Sequence, residues 1–184
     1  MGNKKTWFTS DYHFGHKNVI KYDRRPFKTV EEMNQTLIHN QNELVQDQDD
    51  FYFLGDFAMS LSEDSMRYLM QRLRGNLFFI RGNHDKNRTI KLYEQYGTYL
   101  GEQCKINIEG QDIVLNHYSM NVWDRSHHGA YHLFGHSHGS LKADNSKLSF
   151  DVGCMLFDYK PIEFEEVQKI MSKKVWKAID HHGK

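Results

Sequence analysis

Short apolar runs punctuate the first half of the chain. Lys5 to Ser10, Phe51 to Leu54 and Leu77 to Ile80 are each bounded by glycine or polar residues, a pattern that suits buried strands. Helical spacing lies between them. Val30, Met33, Leu37, Leu44 and Val45 mark one face of a first helix, and Met66, Leu69, Met70 and Leu73 mark a second, with Ser62 as its N-cap and Gly75 as its stop. Strand and helix alternating in this way predict parallel crossovers. Further on, Lys105 to Ile108 and Ile113 to Asn116 flank Glu109-Gly110-Gln111 and read as a hairpin. Tyr131 to Phe134 and Leu148 to Val152 read as two more strands, and Pro161 opens a last helix carrying Val167, Ile170, Met171 and Val175. The expected fold is α/β: two mixed β-sheets packed in a sandwich and flanked by helices. In such sheets ligands bind beyond the carboxyl ends of the strands. No repeat or low-complexity linker divides residues 1–184, so a single domain is expected, with a frayed tail over 177–184.

Composition narrows the partners. Lysine plus arginine equals aspartate plus glutamate, 24 each, so no net positive field would hold the chain on duplex nucleic acid or anionic lipid. Twelve Phe, ten Tyr and three Trp supply ample core material and exclude a disordered chain. Phe51, Tyr52, Phe53, Phe78 and Phe79 lie in strand runs and read as sheet core rather than as a base-stacking platform. Cys104 and Cys154 are too few for a disulfide framework and lack C-x-x-C spacing, which excludes a zinc ribbon and favours a reducing compartment. The apolar stretch near the N-terminus is too short for a signal peptide or membrane span, so a cytoplasmic protein is expected. Twelve histidines are the unusual count, and their positions give it meaning.

Each strand run is followed by residues that bind metals or handle protons. Ser10-Asp11-Tyr12-His13 follows the first, Gly55-Asp56 the second and Gly82-Asn83-His84-Asp85 the third. Asn116-His117 ends the hairpin, and Gly135-His136-Ser137-His138 follows Tyr131 to Phe134. In extended backbone, residues i and i+2 point the same way, so Asp11 with His13, and His136 with His138, can each present two ligands together. The glycines before Asp56, Asn83 and His136 suit sharp turns and close backbone approach. Mixed carboxylate and imidazole donors suit Mn²⁺, Fe²⁺, Ni²⁺ or Zn²⁺ rather than Ca²⁺. One ion needs three or four such groups. Seven candidates fit two divalent ions sharing a bridging carboxylate, typically ~3.5 to 4 Å apart.

The ordered blocks Asp-x-His, Gly-Asp, Gly-Asn-His-Asp, His and Gly-His-x-His resemble the signature of the calcineurin-like metallophosphoesterases, over Asp11 to His138. That resemblance implies that Asp11, His13 and His138 hold one metal, Asn83, His117 and His136 the other, and that Asp56 bridges them. It implies a hydroxide between the metals attacking phosphorus, with Asn83 neutralising phosphoryl charge and His84 donating a proton to the leaving oxygen or stabilising charge. Asp85 then caps the following helix or orients His84, the cap being the preferred reading. Protein phosphatases of this superfamily carry Gly-Asp-x-x-Asp-Arg-Gly, whereas this chain reads Gly55-Asp56-Phe57-Ala58-Met59-Ser60. The chain looks more like the compact bacterial and phage members, which favours a small or nucleotide-type phosphodiester. A phosphomonoesterase and a non-catalytic metal-binding scaffold are the alternatives.

Outside the blocks, His16 either touches substrate or caps a helix. Arg24, Arg25 and Arg81 either hold a substrate phosphate or pair at the surface. His127 and His128, with Trp123 and Arg125, are candidates to line a cleft, while His132 falls within a strand and reads as structural. His181 and His182 read as solvated.

Overall fold

The computed structural model describes residues 3–179, and the tail histidines His181 and His182 lie outside them. Among the described residues, nine strands and five α-helices follow in the order β1 (Thr6–Thr9), α1 (Lys17–Tyr22), α2 (Val30–Leu44), β2 (Asp50–Phe53), α3 (Glu63–Met70), β3 (Asn76–Phe79), α4 (Asn87–Tyr96), β4 (Thr98–Tyr99), β5 (Gln103–Ile108), β6 (Gln111–Asn116), β7 (Tyr131–Phe134), β8 (Ser149–Asp151), β9 (Ile162–Glu163) and α5 (Phe164–Ser172). They build two mixed sheets, β4-β3-β2-β1-β9 and β5-β6-β7-β8. In the first, β1 to β4 run parallel as the alternation predicts, and β9 joins the edge antiparallel. In the second, the β5–β6 hairpin is extended by two parallel strands.

The pleat divides the first sheet's side chains between two cores. Trp7, Phe51, Phe53, Leu77 and Phe79 face the helices, against Met33 and Leu37 of α2, Met66 and Met70 of α3, and Leu92 and Tyr93 of α4. Phe8, Tyr52, Leu54 and Ile80 face Ile113, Leu115 and Leu133 of the second sheet, with Val167 and Met171 of α5 completing that layer. Both faces are covered, which is why β1 to β3 read as continuous apolar runs. The strand aromatics are core, as expected: Phe8, Tyr52 and Phe78 stack in sequence at 5.5 and 4.7 Å between ring centroids.

Helix boundaries show where local signals win and where tertiary contacts override them. Thr29 Oγ1 accepts from Glu32 N–H while Glu32 reaches back to Lys28 N–H, a reciprocal cap that fixes the start of α2. Ser62 caps α3 through Ser65 N–H, as its sequence suggests. That helix ends at Met70, before the predicted stop, and Gly75 with φ +101° instead turns the chain into β3. The last helix starts at Phe164 rather than at Pro161, because Ile162 and Glu163 are held extended against Phe8 and Trp7.

His132 is the structural histidine that its strand position suggests. Its Nδ1–H donates to the Val114 carbonyl at 3.0 Å, and its Nε2 accepts from Met120 N–H at 3.2 Å. Burial pushes its pKa down to about 4. The folded state therefore keeps this ring neutral while the unfolded chain takes up a proton below about pH 6.5. Its contribution to stability is complete above that pH, falls as pH drops from about 6.5 towards 4, and by pH 5 the loss is about 2 kcal/mol. Urea titrations at pH 7.5 and 5.0 should show that decrement in the parent, and less of it in His132→Gln. Equal decrements would assign the acid sensitivity elsewhere.

Candidate metal centre

The carboxyl ends of β1, β2, β3, β6 and β7 meet along one rim of the sandwich. Backbone bonds lace them together: Asp11 N–H to Gly55 O, His13 N–H to Asp56 O and Gly135 N–H to His117 O. Onto this rim fall Asp11, His13, Asp56, Asn83, His117, His136 and His138. Their donor atoms form two groups, Asp11 with His13 and His138, and Asp56 with His117 and His136, the atoms of each group lying within 4.8 Å of one another.

The route by which they converge differs from the extended pairing the spacing suggests. Asp11, His13, Asp56, His136 and His138 all have left-handed backbone, with φ between 46° and 66°. Histidine and aspartate pay a steric cost there, and such strain concentrates at functional sites. The close backbone approach expected at the glycines is present. A methyl group on Gly82 would overlap Asp56, and one on Gly135 would overlap Ser10 and Asp11.

The hydrogen bonds determine which atoms remain for a cation. Asp11 Oδ2 accepts from Ser10 Oγ at 2.6 Å and from His136 N–H at 3.0 Å, while its buried Oδ1 has no hydrogen-bond partner. Asp56 Oδ1 accepts from His84 N–H at 2.8 Å, which turns Oδ2 inward, 3.6 Å from His13 Nε2 and 3.4 Å from His117 Nε2. His117 Nδ1 lies 2.8 Å from the Leu54 carbonyl. A carbonyl only accepts, so Nδ1 carries the proton and the neutral ring's Nε2 offers a lone pair. That lone pair points at Asn83 Oδ1, 3.0 Å away, and His136 Nδ1 lies 2.9 Å from the same oxygen. On the other side His13 Nε2 and His138 Nε2 face each other at 3.1 Å. Acceptors gathered around common points repel unless cations or protons sit among them, so the residues fit a divalent metal in each group.

The electrostatics divide these histidines: carboxylates raise His138 and His117, whereas burial lowers His13 and His136. Burial opposes a proton on His138, but the Asp11 and Asp23 carboxylates outweigh it and push the pKa up to about 10. Burial also opposes charge on His117, and Asp56 again prevails and raises it. His13 goes the other way: burial wins over Asp11 and Asp56 and lowers it to about 4.

Three residues outside the expected ligand set organise this rim. Asp23 accepts from His138 Nδ1–H at 2.7 Å, an orienting carboxylate 115 residues away in sequence. Arg25 holds Asp23 in turn, donating Nε and Nη2 to its Oδ2, and is buried, with Nη1 on the Tyr12 carbonyl and Nη2 on that of Asp11. Arg25 is therefore neither a phosphate ligand nor a surface ion pair. Asp85 corrects the cap expectation: α4 is preceded by Lys86 with no side-chain cap, and the buried Asp85 carboxylate accepts from Gly82, Asp56 and Phe57 N–H. Burial pushes its pKa up to about 6. It fixes the two loops carrying Asn83 and Asp56.

Such carboxylates orient metal-binding histidines, and their loss costs ~10- to 100-fold in metal affinity. Asp23→Ala should weaken a divalent ion at the Asp11, His13 and His138 group by that factor, while Asp23→Asn, which keeps an acceptor for Nδ1–H, should lose less. Calorimetric titration of Mn²⁺ into the metal-stripped protein measures both. Equal affinities in all three proteins would remove Asp23 from the site.

His84 is half-exposed at the rim, its Nε2 4.0 Å from Asp56 Oδ2 and its ring 5.4 Å from that of His13. His16 precedes α1 and makes no capping bond; its ring lies 5.7 Å from that of His13. Arg81 lines a cleft of about 350 Å³ with Asn83, Asn116 and Tyr118, its guanidinium 3.8 Å from Glu102 and bonded to the Asp85 carbonyl. Arg24 is exposed, in left-handed backbone, and its side chain pairs with none of these residues. His127 and His128 lie in a 3-10 turn, their rings 4.0 Å apart.

Two stacked mixed sheets with paired Asp/His groups at their strand ends define a class of metal-binding α/β sandwich. The sequence model of the calcineurin-like phosphoesterase superfamily domain matches residues 6–156, and the chain belongs to that family. It is 37% identical to an uncharacterized protein of Methanocaldococcus jannaschii, covering 98% of this chain and 99% of that one. It is 34% identical to the Gene 66 protein of Mycobacterium phage L5, over 74% of this chain and 78% of that one. Among solved structures, a protein of unknown function from Aquifex aeolicus superposes with a TM-score of 0.71 at 22% identity, covering 91% of this chain and 100% of that one. A novel archaeal phosphodiesterase superposes at 0.51 and 14% identity, covering 87% and 98%. These two likenesses concern the fold. No helix among the described residues is long and apolar enough to cross a membrane.

Proposed function

We propose that the chain is a phosphoester hydrolase dependent on two divalent metals, acting on small or nucleotide-type phosphodiesters. One observation carries the reading: Asp56 Oδ2 lies within 3.6 Å of both His13 Nε2 and His117 Nε2, so a single carboxylate oxygen joins the two ligand groups. Asp11, His13 and His138 would hold one ion, Asn83, His117 and His136 the other, with Asp56 shared. When bound, such a pair polarises phosphoryl oxygens and acidifies coordinated water, with Mn²⁺, Fe²⁺, Ni²⁺ or Zn²⁺ matching the donors.

The chain's own groups supply the rest. Asp85 and Asp23 fix the ligand loops before substrate arrives, which lowers the reorganisation required during reaction. His84 is held by its backbone bond to Asp56, which leaves its half-exposed imidazole able to give a proton to a leaving oxygen or to bond a phosphoryl oxygen. Met59 and Ser60 stand where the protein phosphatases' block carries its second aspartate and its arginine. That removes one source of positive charge for a dianionic monoester and favours the diester.

Hydrolysis of bis-p-nitrophenyl phosphate and of p-nitrophenyl phosphate by stripped protein reloaded with Mn²⁺, Ni²⁺, Zn²⁺ or Mg²⁺ tests the proposal. Metal-dependent turnover with preference for the diester supports it, and preference for the monoester would make the chain a phosphomonoesterase. No turnover with two ions bound would favour the scaffold.

A further inference from the structure

A second cavity, of about 940 Å³, begins where the metal-binding segments end. Gly139, next to His138, Phe134, two residues before His136, and Ser119, two residues after His117, all line it. From there it extends beside β8 to the end of α5. Because β7 and β8 run parallel, residues 139–147 must pass from the carboxyl end of one strand to the amino end of the other. The cavity's far end is thus roughly one strand length, ~10 Å, from the rim.

Its lining has two chemistries. Phe134, Phe150, Leu156 and Leu141 give an apolar floor and lip, Leu141 and Leu156 being 51% and 47% exposed. Lys142 and Lys173 also line it, and neither ammonium has an ion pair or hydrogen bond among the described residues. Four lysines, Lys142, Lys147, Lys173 and Lys174, face two carboxylates in this lining: Asp144, which pairs with Lys147, and Asp151, which accepts from Gly139 and Gly153 N–H. An apolar surface next to the metal rim, with an excess of lysine over carboxylate in the same lining, is complementary to a nucleotide whose sugar carries a flat base and two phosphates.

Resting on the hydrolase reading above, we propose that this groove seats one nucleoside of a single-stranded oligonucleotide whose scissile phosphate lies at the metal rim. The base covers the apolar floor, and the next phosphate along the strand pairs with Lys142 and Lys173. Base-on-aromatic contact with backbone phosphates held by basic side chains is the general mode of single-strand binding, and it needs no net positive charge on the whole chain.

Inorganic phosphate, adenosine 5′-monophosphate and adenosine 3′,5′-bisphosphate form a ladder of probes, titrated calorimetrically into Mn²⁺-loaded protein carrying His84→Ala to slow turnover. Each step should tighten binding by about tenfold. Lys142→Ala with Lys173→Ala should erase the bisphosphate step alone, and Leu156→Asp the base step. Equal binding of the three probes, or variants that weaken all three alike, would overturn the proposal. So would a dimer in sedimentation that Leu156→Asp disperses with monophosphate affinity unchanged, since the groove would then be an interface between copies. Failure of the parent to hydrolyse bis-p-nitrophenyl phosphate, with the ladder intact, would refute the hydrolase reading and leave the groove as a nucleotide site.

Discussion

Asp56→Asn should empty both cation sites and lower metal-dependent turnover by roughly 10³-fold or more. The size of the effect follows from the amide's geometry. Asp56 Oδ1 must accept from His84 N–H, so an asparagine satisfies that bond with its carbonyl oxygen and turns its amide N–H₂ inward. A donor then replaces the one oxygen lying within 3.6 Å of both His13 Nε2 and His117 Nε2. The loop itself should hold, because Asp85 binds the backbone N–H groups of residues 56 and 57 whatever side chain stands at 56. Metal analysis after dialysis, with thermal unfolding of the stripped proteins as the control for folding, reads the two effects separately. Two ions retained per Asp56→Asn chain would refute the bridging role.

The convergence of the candidate ligands was readable because each follows an apolar run that suits a strand, and strand ends in a layered α/β fold gather on one rim. Gly55, Gly82 and Gly135 were readable for a related reason: a glycine before a polar strand-end residue signals backbone too close for a side chain. Backbone conformation was not readable. Nothing in Asp11-Tyr12-His13 announces left-handed φ at both ends, since these residue types adopt it only when surrounding contacts impose it. The supporting shell was hidden for another reason. Asp23 and Arg25 sit in a charged stretch before a proline that reads as surface, and only the folded chain brings Asp23 to His138 and buries the guanidinium beneath Asp11. Asp85 occupies a good capping position just before a helix. Three unpaired backbone N–H groups from neighbouring loops compete for the same carboxylate and win, because they are buried and must be satisfied.

His84→Ala should leave both ions in place while reducing kcat by about 10²- to 10⁴-fold. Its backbone, not its ring, makes the bond to Asp56, so truncation removes the imidazole without disturbing the carboxylate. The ring is half-exposed at the rim, 4.0 Å from Asp56 Oδ2, where a leaving group can reach it. The leaving group then separates two roles. The weakly basic p-nitrophenolate departs without help, whereas a ribose alkoxide needs a proton as the bond to phosphorus breaks. If His84 is a general acid, the loss should sit near the lower limit for bis-p-nitrophenyl phosphate and near the upper limit for a nucleotide diester. If it stabilises charge on the phosphoryl oxygens, the two substrates should lose the same factor, because that charge develops with either leaving group. Metal loss in the variant, or undiminished kcat on both substrates, would place His84 outside the chemistry.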